Sequence, residues 1–135
     1  MTVSGGTVIP LSQIRLGVES TLRGSLARLA TGRVLLVDYF AGRRCSVVIG
    51  DLTADFRDAP TRQGYVELAS IAGVRVFAAE RLLAVLGDAG PTLRLAGPPF
   101  ARHLAIRLDR PERWMEFLEG PGVLAGTRQF RWGRR

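Results

Sequence analysis

The sequence predicts an α+β domain: a small mixed β-sandwich of about six to seven short strands, with an N-terminal helix, a short helix near 78–86 and a C-terminal helix near 111–119. Two observations carry this expectation. Apolar runs bounded by glycine and proline recur between Arg33 and Leu108 and have strand rather than helix character. Helical spacing is confined to short stretches, so strands do not alternate with long helices as they do in a doubly wound sheet.

Length and composition agree with a single core. A chain of 135 residues buries about two thirds of the surface it exposes when unfolded. Hydrophobic residues make up 47% and charged residues 23%, which excludes the low-apolar, high-charge profile of a disordered chain. The organisation expected is a flexible N-terminus over 1–6, one domain over 7–125 and a basic, aromatic C-terminal arm over 126–135.

All 19 basic residues are arginines, and the net charge is +7. Guanidinium is a permanent, planar, bidentate cation suited to carboxylates, phosphates and aromatic faces, so the expected partners are acidic protein surfaces or RNA. An all-arginine usage is also what a GC-rich coding sequence produces. The single cysteine, Cys45, excludes an internal disulfide and an all-cysteine metal cage within one chain. No apolar run approaches the ~18 residues needed to cross a bilayer, and the first residues lack a basic region followed by an apolar block. The protein is therefore expected to be cytoplasmic, without a membrane partner.

Taken in order, Thr7 to Leu11 is a candidate edge strand, because Pro10 removes a ladder donor. Leu11, Ile14, Val18, Leu22, Leu26 and Leu29 then recur at spacings of three and four, predicting one helix capped by Ser12 and stopped by Gly32. Gly17 and Gly24 each weaken its interior by about 1 kcal/mol. From Arg33 to Phe40 the residues are almost continuously apolar, predicting a strand covered on both faces, with Asp38 the exception. Gly42-Arg43-Arg44 is expected to turn the chain, Cys45 to Ile49 to form a second strand, and Gly50 to bulge or bend it before Leu52 to Phe56 continues it.

A polar turn follows, and then Tyr65 to Ser70 and Val74 to Phe77 read as a hairpin around Gly73. Leu82, Leu83 and Leu86 give the segment from Ala78 helical spacing, ending at Gly87. Thr92 to Leu95 and His103 to Leu108 are strands joined by the rigid connector Gly97 to Phe100. Pro111 suits the first turn of a helix whose Trp114, Phe117 and Leu118 share a face.

Several residues are candidates for chemistry. Arg43 and Arg44 beside Cys45 would lower a thiol pKa and favour thiolate if the sulfur is exposed. The competing reading of Cys45 is a small hydrophobe starting a buried strand. Asp51 and Asp55 share a strand face, with Asp58 nearby, which suits either a hard cation or a solvated surface. His103, the only imidazole, is either a structural residue or, with Cys45, half of the one soft ligand pair the chain can offer a metal. Asp38 needs a partner such as an arginine or backbone amides if its face is buried, and equally suits a face that points outward.

The segment from Arg128 to Arg135 interleaves Arg128, Arg131, Arg134 and Arg135 with Phe130 and Trp132. Such a mixture binds phosphates by charge and rings by stacking. It serves equally as an arm packed on its own domain or on a second subunit. Serine nucleophile motifs, phosphate-binding loops, dinucleotide fingerprints and zinc-protease helices are absent, and the position six residues after Cys45, where a phosphatase has arginine, is Asp51. A non-enzymatic role is expected.

Around Cys45 the order of elements resembles the HesB-like A-type carriers of iron–sulfur cluster biogenesis. Their Gly-Gly-Cys-Ser-Gly turn is similar to Gly42-Arg43-Arg44-Cys45-Ser46. Their later Gly-Val strand, short Leu-Leu helix and two closing strands are similar to Ile71 to Phe77, Arg81-Leu82-Leu83 and Leu93 to Leu108. The likeness covers roughly positions 8 to 110. It implies an accessory role in iron–sulfur assembly and carries one ligand, Cys45, onto this chain. The family's C-terminal Cys-Gly-Cys pair is missing, since a helix-like segment from Asp109 to Gly120 stands in its place. One thiolate does not hold a cluster that takes four, so the resemblance implies a homodimer sharing a cluster through two copies of Cys45 together with outside thiols such as glutathione.

Overall fold

The computed structural model describes residues 16–45, 47–59 and 64–120. Its elements are β1 (Gly17–Val18), α1 (Ser20–Arg23), α2 (Leu26–Ala30), β2 (Val34–Arg44), β3 (Val47–Arg57), β4 (Tyr65–Ile71), β5 (Val74–Ala79), α3 (Leu83–Asp88), β6 (Pro91–Ala96), β7 (His103–Leu108) and α4 (Pro111–Glu119). The strands form two sheets, one in the order β3-β2-β5-β4 and one in the order β1-β6-β7. The fold is α+β, as the pattern of short apolar runs predicts. No helix among the described residues is long and apolar enough to cross a membrane.

One core joins the layers. Alternate residues of β2, Leu35, Val37 and Ala41, point the same way as Leu52 and Ala54 of β3 and Val76 and Ala78 of β5, because these are register partners or next neighbours across the ladders. Against that face pack Leu22 and Leu26 from α1 and α2, Leu82, Val85 and Leu86 around α3, Leu93 of β6, and Trp114 and Leu118 of α4. Burying each large aliphatic side chain contributes about 1.5–3 kcal/mol, so this inner face supplies most of the drive to fold.

The single N-terminal helix expected up to Gly32 is not what forms. Among the described residues, 16–19 are extended, β1 pairs in parallel with β6 through Gly17↔Thr92, and the helical part is split into α1 and α2 by Gly24 and Ser25. Two glycines lower the helix propensity, while extended backbone at Gly17 gains ladder bonds to a neighbouring strand, so tertiary pairing wins. Leu22 and Leu26 are buried as expected, but Leu29 is exposed and Leu16 and Ala30 take core positions. The stop near Gly32 holds, through left-handed Thr31 (φ 50°) and Gly32 (φ 83°). Thr7 to Leu11 and the cap at Ser12 lie outside the described residues.

The first hairpin is longer than expected and turns later. Arg44 pairs with Val47, so Gly42, Arg43 and Arg44 belong to β2 and the reversal comes after them, with Cys45 in the turn. The register then runs unbroken through Gly50, which corrects the bulge expected there. Gly50 has a different reason to be glycine: a Cβ would lie 2.3 Å from the Phe40 carbonyl oxygen and 3.0 Å from Leu118. Helix α4 presses on the ribbon at this point, and the Trp114 indole donates to the Gly50 carbonyl at 3.4 Å.

The second hairpin turns at Ala72 and Gly73, both left-handed at φ 51° and 84°, the conformation a two-residue reversal requires. Ala78 and Ala79 extend β5 instead of starting a helix; a short 3-10 turn at Glu80–Leu82 leads into α3. Helix α4 begins at Pro111, and its Trp114, Phe117 and Leu118 face the core as their spacing predicts.

Candidate functional site

Strand β2 sends alternate side chains to opposite faces of its sheet, and the candidate polar residues lie on the face away from the core. Asp38 stands in register with Thr53, Phe40 with Asp51, and Leu36 with Asp55 and Phe77. Glu67 lies opposite Phe77 and Tyr65 opposite Ala79. This outer face thus gathers Asp38, Asp51, Asp55 and Glu67 in a chain whose net charge is positive.

The interactions on the outer face are specific. The Tyr65 hydroxyl donates to Asp38 Oδ2, and the backbone N–H of Tyr39 donates to Asp38 Oδ1 at 2.8 Å. The expected backbone amide is there, whereas the tyrosine, 27 residues away in sequence, had no local signal to announce it. Arg75 grips Glu67 through two N–H groups at 2.9 and 3.0 Å and lies over the Phe77 ring, 5.1 Å from its centre. That bidentate hydrogen bond holds the Glu67 carboxyl below the usual carboxylate range and raises the Arg75 guanidinium. Arg57 stands 3.6 Å from Asp55, and Asp51 accepts the Leu52 N–H at 2.9 Å.

On the opposite face, Tyr39 is edged by Trp114 and Phe117 at ring separations of 6.0 and 5.2 Å. Its hydroxyl is buried with no hydrogen-bond partner among the described residues. Burial raises its pKa, with Arg81 opposing and Asp38 adding to the shift. Nothing in the sequence marks this residue, because an aromatic in an apolar strand looks like any core side chain.

Cys45 is exposed, with φ 51°, at the tip of the ribbon formed by β2 and β3. The reading of it as a buried small hydrophobe is therefore corrected: the later turn moves it out of the strand. Arg43, also exposed, precedes it by two positions at the end of β2, and Val47 across the turn keeps 58% of its surface exposed. The tip is thus a thiol among a cation and an apolar side chain.

His103 opens β7, exposed, with Nδ1 3.5 Å from the Ala101 carbonyl. It lines a cleft of about 300 Å³ between β3 and β7, together with Phe40, Asp51, Thr53, Asp55 and Ile106. Cys45 does not line that cleft, so the soft pair Cys45–His103 is not brought together there. Asp51 and Asp55 do share a face, as expected, but among the described residues no group of three His, Cys, Asp or Glu could hold a metal ion. Arg128, Phe130, Arg131, Trp132, Arg134 and Arg135 lie outside the described residues. No family model matches this chain, and neither a curated protein nor a solved structure matches it.

Proposed function

We propose that this chain is a non-enzymatic, A-type-carrier-like accessory domain of iron–sulfur assembly, in which Cys45 is the one protein ligand for a shared metal or cluster. The observation that carries the reading is the placement of Cys45: an exposed thiol in a left-handed turn at the end of two paired 11-residue strands. A ribbon tip is sterically open, so a second molecule can approach the sulfur without displacing core residues.

One chain does not fit a cluster by itself, since a single thiolate supplies one of the usual four ligands. Two copies meeting tip to tip bring two, and outside thiols such as glutathione supply the others. The order of elements around the tip supports the same reading: a helical segment, a hairpin bearing the cysteine, a second hairpin, a short helix and two closing strands.

Anaerobic reconstitution with iron and sulfide, with and without glutathione, tests the proposal. Wild type is expected to gain thiolate-to-iron absorption and to shift from monomer to dimer in a sizing experiment, and Cys45→Ser to do neither. Identical behaviour of the two proteins would remove the proposal.

A further inference from the structure

The outer face of the four-stranded sheet carries a second apolar layer that is separate from the core. Val34 and Leu36 are buried, at 9% and 8% exposure, yet neither belongs to the continuous core cluster. Phe40 and Phe77, half-buried, lie on the same face and are likewise outside that cluster. Around them stand Asp38, Asp51, Asp55 and Glu67. Arg57 and Arg75 share the face but are each held against one carboxylate, Asp55 and Glu67 respectively. The accessible part of this layer is therefore Phe40 and Phe77, above buried Val34 and Leu36 and beside an acidic margin, and the cleft between β3 and β7 opens next to it.

We propose that the occupant of this face is the chain's own C-terminal arm, residues 126–135. Three observations select it. The first is chemical complementarity at strand period: in an extended segment Arg128, Phe130, Trp132 and Arg134 fall on one side, two rings bracketed by two guanidiniums. Arg128 and Arg134 then stand about 20 Å apart and Asp51 and Asp55 about 13 Å apart along β3, a difference that two long arginine side chains leaning inward span.

The second observation is where the described chain stops. Leu118, in the last turn of α4, lies against Gly50 of β3, and β3 is the edge strand of the sheet. The described chain therefore ends beside the edge that divides inner from outer face. The third is reach: the ten residues from Gly120 to Phe130 span up to about 35 Å, comparable to the width of the domain. Arginine also stacks on aromatic rings, and Arg75 over Phe77 shows that this face accommodates that contact.

A paramagnetic label tests the proposal on the full chain. Cys45→Ser removes the native thiol and Gly133→Cys places a single label beside Trp132 without touching either ring. Amide signals of Phe40, Thr53 and Phe77 are expected to broaden selectively, with those of α1 unaffected, and the effect to be independent of protein concentration. Neutralising Asp51→Asn and Asp55→Asn together should lower the docked-to-free ratio about threefold, as the loss of two exposed charge partners implies. Arg128→Glu with Arg134→Glu should do the same without altering the folded domain.

Three results overturn the proposal. Broadening confined to another surface, or absent, rules the face out. Broadening seen only when labelled and isotope-enriched molecules are mixed assigns the face to a second copy's arm. Broadening that survives both charge variants removes the complementarity on which the proposal rests. None of these depends on Cys45 holding a metal, so this proposal and that one fail separately.

Discussion

Leu35 and Leu36 stand side by side in β2, both withdrawn from solvent, and they belong to opposite sides of the molecule. Leu35, fully buried, belongs to the continuous core and stands in register with Phe56 of β3 and Val76 of β5. Leu36 faces the other way, in register with Phe77 and Asp55, among carboxylates and a tyrosine hydroxyl. A single strand thus serves two surfaces of different chemistry. The inner face is complete in apolar contacts, and the outer one pairs its apolar strip with charge. The lesson is that burial alone does not identify a core: which neighbours cover a residue decides what its removal costs.

The largest effect that tests this contrast is truncation. Leu35→Ala is expected to lower stability by about 4 kcal/mol and Leu36→Ala by about 2 kcal/mol, because the few side chains of the outer layer collapse into the gap more readily than the continuous core does. Urea unfolding midpoints of the two variants read the difference directly, and equal losses would show that the two faces are packed alike.

Next in size is Gly50→Ala. The added Cβ has to displace the Phe40 carbonyl or the end of α4, both part of the framework, and an overpacked site of this kind costs about 1–3 kcal/mol. Thermal unfolding should show it, together with loss of the near-ultraviolet signal of Trp114, which sits at the same contact.

Tyr39→Phe changes stability the other way. Removing a buried hydroxyl that finds no partner among the described residues, while keeping the ring against Trp114 and Phe117, should raise stability by about 1 kcal/mol. A loss of stability on that substitution would show that the hydroxyl is satisfied in solution.

The smallest effect is on the outer face and depends on pH. Arg75 holds Glu67 below its ordinary value of 4.5, so the pair's contribution is present above that value and is lost as pH falls through the lowered one. The stability difference between wild type and Glu67→Gln should therefore shrink as the solution is acidified below 4.5. A difference that stays constant across that range would mean the ion pair adds nothing measurable, as is common for exposed pairs.

Much of the fold was legible from local pattern. The strand from Val34, the hairpin around Gly73, the strand from His103 to Leu108 and the helix opening at Pro111 all follow from period, turn chemistry and proline position, which act over a few residues. At the candidate site, the sharing of one face by Asp51 and Asp55 was equally legible, since a strand's alternation fixes it. The need of Asp38 for a partner could also be read, but not that Tyr65 would be the partner.

What the sequence by itself determined is the class of fold, its single core and the extended, almost continuously apolar run of β2, because these depend on which residue types recur at which period. What only the tertiary structure decided is where the competing options fell: extended backbone at Gly17 over helix, reversal at Cys45 over Gly42, close approach of α4 over a bulge at Gly50. Each of these turns on a contact with an element distant in sequence, β6, the matching strand register or α4, and the free energy of such a contact is not contained in any local window.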